Sequence, residues 1–116
     1  METATINLTE METIALKTIT QSDFYESGRE SVVWDFSVYD ICSIAKRSRA
    51  GVFSSLVQKG LIFIQEKEKP FVLRDGVKTR NKYYDRNSHG TIYITKEGYA
   101  LLDQLEMIDE FGHFKN

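Results

Sequence analysis

The pair Lys59-Gly60 constrains this chain more than any other feature. Glycine accepts the left-handed backbone that closes many helices, and a lysine beside it suits the negative end of a helix dipole. The run Leu61-Ile62-Phe63-Ile64 follows without a linker and reads as a buried strand. A helix that ends directly in a strand commits a chain of 116 residues to helices packed on a small sheet, in one domain over residues 1–116.

The other elements arrange themselves around that junction. Thr9-Glu10-Met11-Glu12 has the pattern of a capping box. Met11, Ala15 and Ile19 share a helical face with Ile14 beside them, which predicts a helix over 10–21. The polar stretch 22–31 reads as loop, and Val32-Val33-Trp34 suits a short strand. Trp34 and Phe36 are assigned to the core, since an aromatic side chain buries a large area. Ser37-x-x-Asp40 predicts the start of a brief second helix with Val38, Ile41 and Cys42 inward, and a turn near Ser43 leads to the third. Asp75-Gly76 is a hairpin signal between Phe71–Arg74 and Val77–Arg80. Thr91–Ile94 returns as a strand, and Thr95 caps a last helix in which Tyr99, Leu102 and Leu105 share a face with Leu101 alongside.

Composition narrows the function. With 41% hydrophobic and 28% charged residues the chain reads as a soluble globule, and no run approaches the roughly 18 apolar residues of a spanning helix. Cys42 is the only cysteine, so no internal disulfide forms and a cytoplasmic setting is expected. Residues 1–5 lack a basic stretch and a long apolar run, so no secretory signal is expected and the Asn7-Leu8-Thr9 sequon is incidental. Cys42, His89 and His113 lack zinc-ligand spacing, no nucleophile sits in an activating motif, and no glycine-rich phosphate loop exists. The expectation is therefore no enzyme, no metal and no cofactor, with His89 a turn residue.

Charge is unevenly distributed behind a net of −2. Residues 1–45 carry two basic and eight acidic side chains, a net of −6, whereas residues 46–86 carry eleven basic and four acidic ones, a net of +7. Residues 87–116 are acidic again, at −3. Clustered Lys and Arg are what phosphate attraction requires, although a merely solvated charged surface has the same composition.

Leu8-Thr9 followed by Ile14-Ala15-Leu16-x-x-Ile19, then Ser54-Ser55-Leu56-Val57-Gln58-Lys59-Gly60-Leu61-Ile62, then Ile94-Thr95-Lys96-Glu97-Gly98-Tyr99-Ala100-Leu101-Leu102, run in this order between residues 8 and 105. Together they resemble the winged-helix DNA-binding domains of the MarR-like superfamily. The first resembles that family's opening helix, the second its recognition helix running into the wing, and the third its wing-exit strand and next helix. The resemblance implies an α+β winged helix, a helix-turn-helix with an enlarged β-hairpin wing, that binds duplex DNA in transcription regulation. The chain departs from the pattern in three places. The segment between Gln65 and Thr91 exceeds the usual wing, Arg49 stands where an apolar residue is favoured, and the tail after Leu105 is shorter than the terminal helices through which such regulators dimerise. A homodimer or a protein partner is left open.

On the third helix, Val52, Phe53 and Leu56 cluster on one side while Arg47, Gly51 and Ser54 point the other way. Lys46, Arg47, Ser48, Arg49 and Ser54 are the candidate DNA contacts, with Lys46 and Arg47 at the helix start, where a recognition helix meets phosphate or base edges first. The stem of Arg49 is expected to pack while its head reaches out. Gly51 marks a close approach by DNA or another helix, or is an ordinary tolerated glycine. On the wing, Lys78, Arg80 and Lys82 share a strand face, with Arg86 beyond them, and could track phosphates. Tyr83 and Tyr84 either belong to the core or stack on unpaired bases, which raises single-stranded DNA or RNA as a partner. Pro70 and the charges also suit a guarded strand edge. A protein-docking winged helix is the remaining alternative, supported by the acidic remainder of the chain and the long hairpin.

Overall fold

A computed structural model describes residues 7–23, 25–66, 69–82, 84 and 89–115. Thr9 opens α1 (Glu10–Gln21) as a true capping box, its hydroxyl accepting from the Glu12 amide and the Glu12 carboxylate accepting from the Thr9 amide. The inward arc is Glu12, Ala15, Leu16 and Ile19, so Met11, expected inside, lies one position off it and is 48% exposed. Glu12 takes the inward place because a second helix supplies donors for its carboxylate, as described below.

A single 3₁₀ turn (Gly28–Glu30) leads to β1 (Val33–Trp34), α2 (Asp35–Ile41), α3 (Lys46–Gln58) and β2 (Ile62–Gln65). Gly60 closes α3 with φ +74°, the left-handed turn its lack of a Cβ permits. The hairpin β3 (Phe71–Arg74) and β4 (Val77–Arg80) comes next, then β5 (Thr91–Ile94) and α4 (Lys96–Gln104), the last capped by the Thr95 hydroxyl accepting from the Gly98 amide. The first sheet is antiparallel in the order β1-β5-β2, with Val33 opposite Ile92 and Ile62 opposite Ile94. Among the described residues β3 and β4 pair only with each other. The described residues thus form an α+β fold, four α-helices with a small antiparallel sheet, an arrangement compatible with a winged helix. Leu16, Val38, Phe53, Leu56, Ile92 and Leu102 lie at the centre of the core between helices and sheet.

Several side chains lie elsewhere than their spacing predicts. Trp34 and Phe36 are not core residues but 39% and 49% exposed. Along β1 the side chains alternate, so Val33 takes the buried position and Trp34 the outer one. Phe36 stands about 200° round α2 from buried Val38, at 100° per residue, and so faces out. Helix α2 begins at Asp35 after Trp34, with no side-chain cap, so Ser37 sits within its first turns rather than opening it. Ile41 ends α2 and is exposed, while Cys42 is half-buried. Strand β2 is half-buried: Ile62 points in, and Phe63 points out to meet the Tyr93 ring at 5.4 Å. Leu105 follows the last turn of α4 and is exposed, and so is Tyr84; Tyr83 lies outside the described residues.

The tail beyond α4 is built into the fold, which no spacing rule indicates. Arg29 forms a two-pronged ion pair with Asp103 and donates to the carbonyls of Asp109 and Glu110. Tyr25 donates to the Gly112 carbonyl at 3.1 Å and shares a 2.8 Å hydrogen bond with the Tyr99 hydroxyl. Arg29 holds the Asp103 carboxyl below its ordinary range, and burial followed by the Tyr25 hydrogen bond pushes the Tyr99 hydroxyl well up.

Candidate nucleic-acid interface

Helices α2 and α3 are joined by the turn 42–45, and three contacts fix their angle. Ile44 in the turn is buried in the core, and the Tyr39 ring meets Phe53 edge-on at 5.3 Å. Arg49 completes the set: its guanidinium lies 5.8 Å over the Tyr39 ring and donates to the Ile44 carbonyl at 3.4 Å. Burial, then the Asp35 carboxylate, raises the Tyr39 hydroxyl above its ordinary value. Arg49 therefore braces the turn from within, its Nε buried, and its head is turned to the protein rather than outward.

With that turn fixed, α3 sorts its residues as the helical period requires. Phe53 and Leu56 are buried, Val52 is half-buried, and Lys46, Arg47, Ala50, Gly51 and Ser54 are exposed. Ser48 is half-buried. A Cβ at Gly51 would meet nothing within 4 Å among the described residues, so no described helix packs against it. Ala45 precedes α3 without a side-chain cap, leaving the first amides of the helix beside Lys46 and Arg47. Neither cation has a hydrogen-bond or ion-pair partner among the described residues.

One side of α3 opens on a groove of about 570 Å³ lined by Ala50, Ser54 and Val57 with Tyr39, Asp35 and Glu66, and by Lys69 at the root of the hairpin. Its carboxylates make it less inviting to phosphate than the helix start. The hairpin beyond is a ribbon exposed on both faces. Cross-strand partners share a face, so Phe71 and Leu73 lie with Arg80 and Lys78, while Val72 and Arg74 lie with Thr79 and Val77. Lys78 places its ammonium 4.8 Å over the Phe71 ring. Lys78 and Arg80 thus share a face as expected, whereas Lys82 lies past the strand in a turn, and Arg86 lies outside the described residues.

Spacing missed one surface feature altogether. Trp34, Phe36 and His89 form a cluster of exposed rings where the chain re-enters β5, with centroids 6.3 Å apart for Trp34 and Phe36 and 4.7 Å for Phe36 and His89. Gly90 beside it is a signal that could have been read: a Cβ there would come within 2.6 Å of the Asp35 carboxylate and the Gln65 carbonyl. Among the described residues no three His, Cys, Asp or Glu side chains are grouped to hold a metal, and no helix is long and apolar enough to cross a membrane. No family model, curated protein or solved structure matches the chain.

Proposed function

We propose that the chain is a winged-helix protein of the MarR-like kind that binds duplex DNA, with α3 in the major groove and the basic hairpin on the backbone. The observation that carries this reading is the solvent face of α3. Two exposed cations sit at an uncapped helix start, followed by Gly51 and Ser54, on a helix anchored by Phe53 and Leu56. Such a face is cationic where phosphates or guanine edges would be met and small where a groove about 12 Å wide must close on it. Its strand order and the basic ribbon agree with that assignment. A role in transcription regulation is a fold-level analogy and belongs to the same proposal.

Base reader and backbone holder separate under substitution. Arg47→Ala is expected to cost about 1–3 kcal/mol on a selected site and to flatten preference there. Arg80→Ala is expected to weaken all duplexes alike and to lower the salt slope by about one. A selected-site affinity panel at several salt concentrations measures both. Equal loss on cognate and random duplex for Arg47→Ala means that α3 is not the reader.

A second reading rests on the exposed rings. Trp34, Phe36 and His89 offer stacking faces, and each stacked base contributes about 1–3 kcal/mol in single-strand binding. Under that reading Trp34→Ala abolishes binding to single-stranded DNA or RNA and leaves duplex affinity unchanged.

A further inference from the structure

A second groove, of about 550 Å³, lies where the chain enters β1, walled by the end of β5 and the first turns of α4. Several polar groups in its wall are already engaged. Arg29 holds Asp103 in the two-pronged ion pair and lies 5.6 Å over the Tyr99 ring, and the Tyr99 hydroxyl shares its hydrogen bond with Tyr25. Ser31, Glu30 and Lys96 are not. Ser31 is 5% exposed, and its hydroxyl is buried without a hydrogen-bond partner. Its backbone is extended, with φ −69° and ψ 138°, so its side chain continues the inward side of Val33, toward Ile94 and α4. Glu30 and Lys96 stand exposed in the same wall. Neither has a hydrogen-bond or ion-pair partner among the described residues, each other included.

A buried hydroxyl without a partner gives up its hydration for nothing, and folded chains keep few of them. One in the wall of an open groove is satisfied when a ligand brings an acceptor to it. The rim adds a condition, because a carboxylate and an ammonium that do not meet suit a ligand carrying both signs. Val32, Ile94 and Ala100, with the Tyr93 ring, call for an apolar body beside those charges. We infer that this groove binds a free amino acid with a large apolar side chain. Its carboxylate accepts from the Ser31 hydroxyl and from Lys96, its ammonium donates to Glu30, and its side chain lies against Val32, Ile94 and Tyr93. A simple carboxylic acid would leave Glu30 unpaired beside a second negative charge, and a simple amine would leave Ser31 and Lys96 without an acceptor. The groove shares no residue with α3 or the ribbon, so this inference is independent of the duplex reading.

Calorimetric titration of the full chain compares L-phenylalanine with hydrocinnamate, which lacks the ammonium, and phenethylamine, which lacks the carboxylate, while amide NMR shifts locate each. Phenylalanine is expected to bind, with shifts centred on residues 29–32 and 93–100. Phenethylamine should bind about tenfold or more weakly, having lost the acceptor for the buried hydroxyl, and hydrocinnamate about threefold or more weakly, since only an exposed pair is lost. Ser31→Ala should lower phenylalanine affinity about tenfold and leave thermal stability intact, because the hydroxyl bonds nothing in the free protein. Lys96→Gln, at an exposed site away from the core, should lower it about threefold. Absence of heat and of shifts with phenylalanine up to its solubility overturns the inference. Hydrocinnamate binding as tightly as phenylalanine makes the groove an anion pocket and overturns it too. Equal affinity of Ser31→Ala and wild type, or shifts centred elsewhere, does the same, and none of these results bears on duplex binding.

Discussion

Helix α3 and the β3–β4 ribbon are built from the same kinds of side chain, cations beside apolar residues, and dispose of them in opposite ways. The helix has one face on the core, so Phe53 and Leu56 go in while Lys46 and Arg47 go out. Among the described residues the ribbon pairs only with itself, so its two faces each carry exposed apolar and cationic residues, Leu73 and Val77 among the former. Side chains on a packed helix hold a fixed geometry, which reading base edges requires. Side chains on an unpacked ribbon are held by a turn and a ladder of backbone bonds, which suffices for contacts that follow the shape of the partner.

The largest expected effect sharpens that contrast on stability. Leu56 is fully buried, so Leu56→Ala should lose about 2–5 kcal/mol in urea denaturation. Leu73→Ala removes the same atoms from the ribbon and should stay within about 0.5 kcal/mol. Similar losses for both would mean that the ribbon packs against the core.

The anchoring of α3 also predicts a pH dependence. Burial pushes the Glu12 carboxyl up, but hydrogen bonds from Lys59, the Thr9 amide and Ser55, with the Lys59 charge, outweigh it and hold the group at about 2. Since the folded value lies below the ordinary 4.5, this stability is fully present above pH 4.5 and is lost as pH falls through about 2. The shift corresponds to about 3 kcal/mol at neutral pH. Lys59→Met, which removes the 2.7 Å ion pair to Glu12, should cost a comparable amount at pH 7 and progressively less in acid. A penalty unchanged between pH 7 and pH 2.5 would contradict this account of how α1 and α3 are joined.

The smallest effects are expected where neither region is touched. Cys42→Ser should leave duplex affinity unchanged, and so should His89→Ala, with the fold intact by circular dichroism. A large loss of function from Cys42→Ser would point to chemistry at the thiol. A loss of duplex binding from His89→Ala would move the interface from α3 to the ring cluster.

Local signals in the sequence were enough for much of the architecture. The capping box at Thr9, the left-handed Gly60, the Asp75-Gly76 turn and the Thr95 cap each need only a few neighbouring residues, and each stands where spacing puts it. The outward set Arg47, Gly51 and Ser54 was legible for the same reason, since one helix and its period determine it. What needed distant partners was not. Glu12 reads as a capping residue, yet it also accepts from Ser55 and Lys59, 43 and 47 residues away. Arg49 reads as a surface cation, although the fold turns it onto Tyr39 and the Ile44 carbonyl. Trp34 and Phe36 read as core because size favours burial, but the strand's alternation and the period of the helix that follows at once put Val33 and Val38 inside and leave both rings outside.

The central proposal, a cationic helix face and ribbon that grip a polyanion, is tested most directly by measuring affinity against salt. Fluorescence anisotropy of the full chain with random duplex, single-stranded DNA and RNA gives the slope of log affinity on log salt for each. With about five phosphates neutralised, duplex affinity should fall with a slope of about −4.5 and exceed that for either single strand. No duplex binding at low salt, or an affinity indifferent to salt, would contradict the account and leave a protein-docking domain in its place.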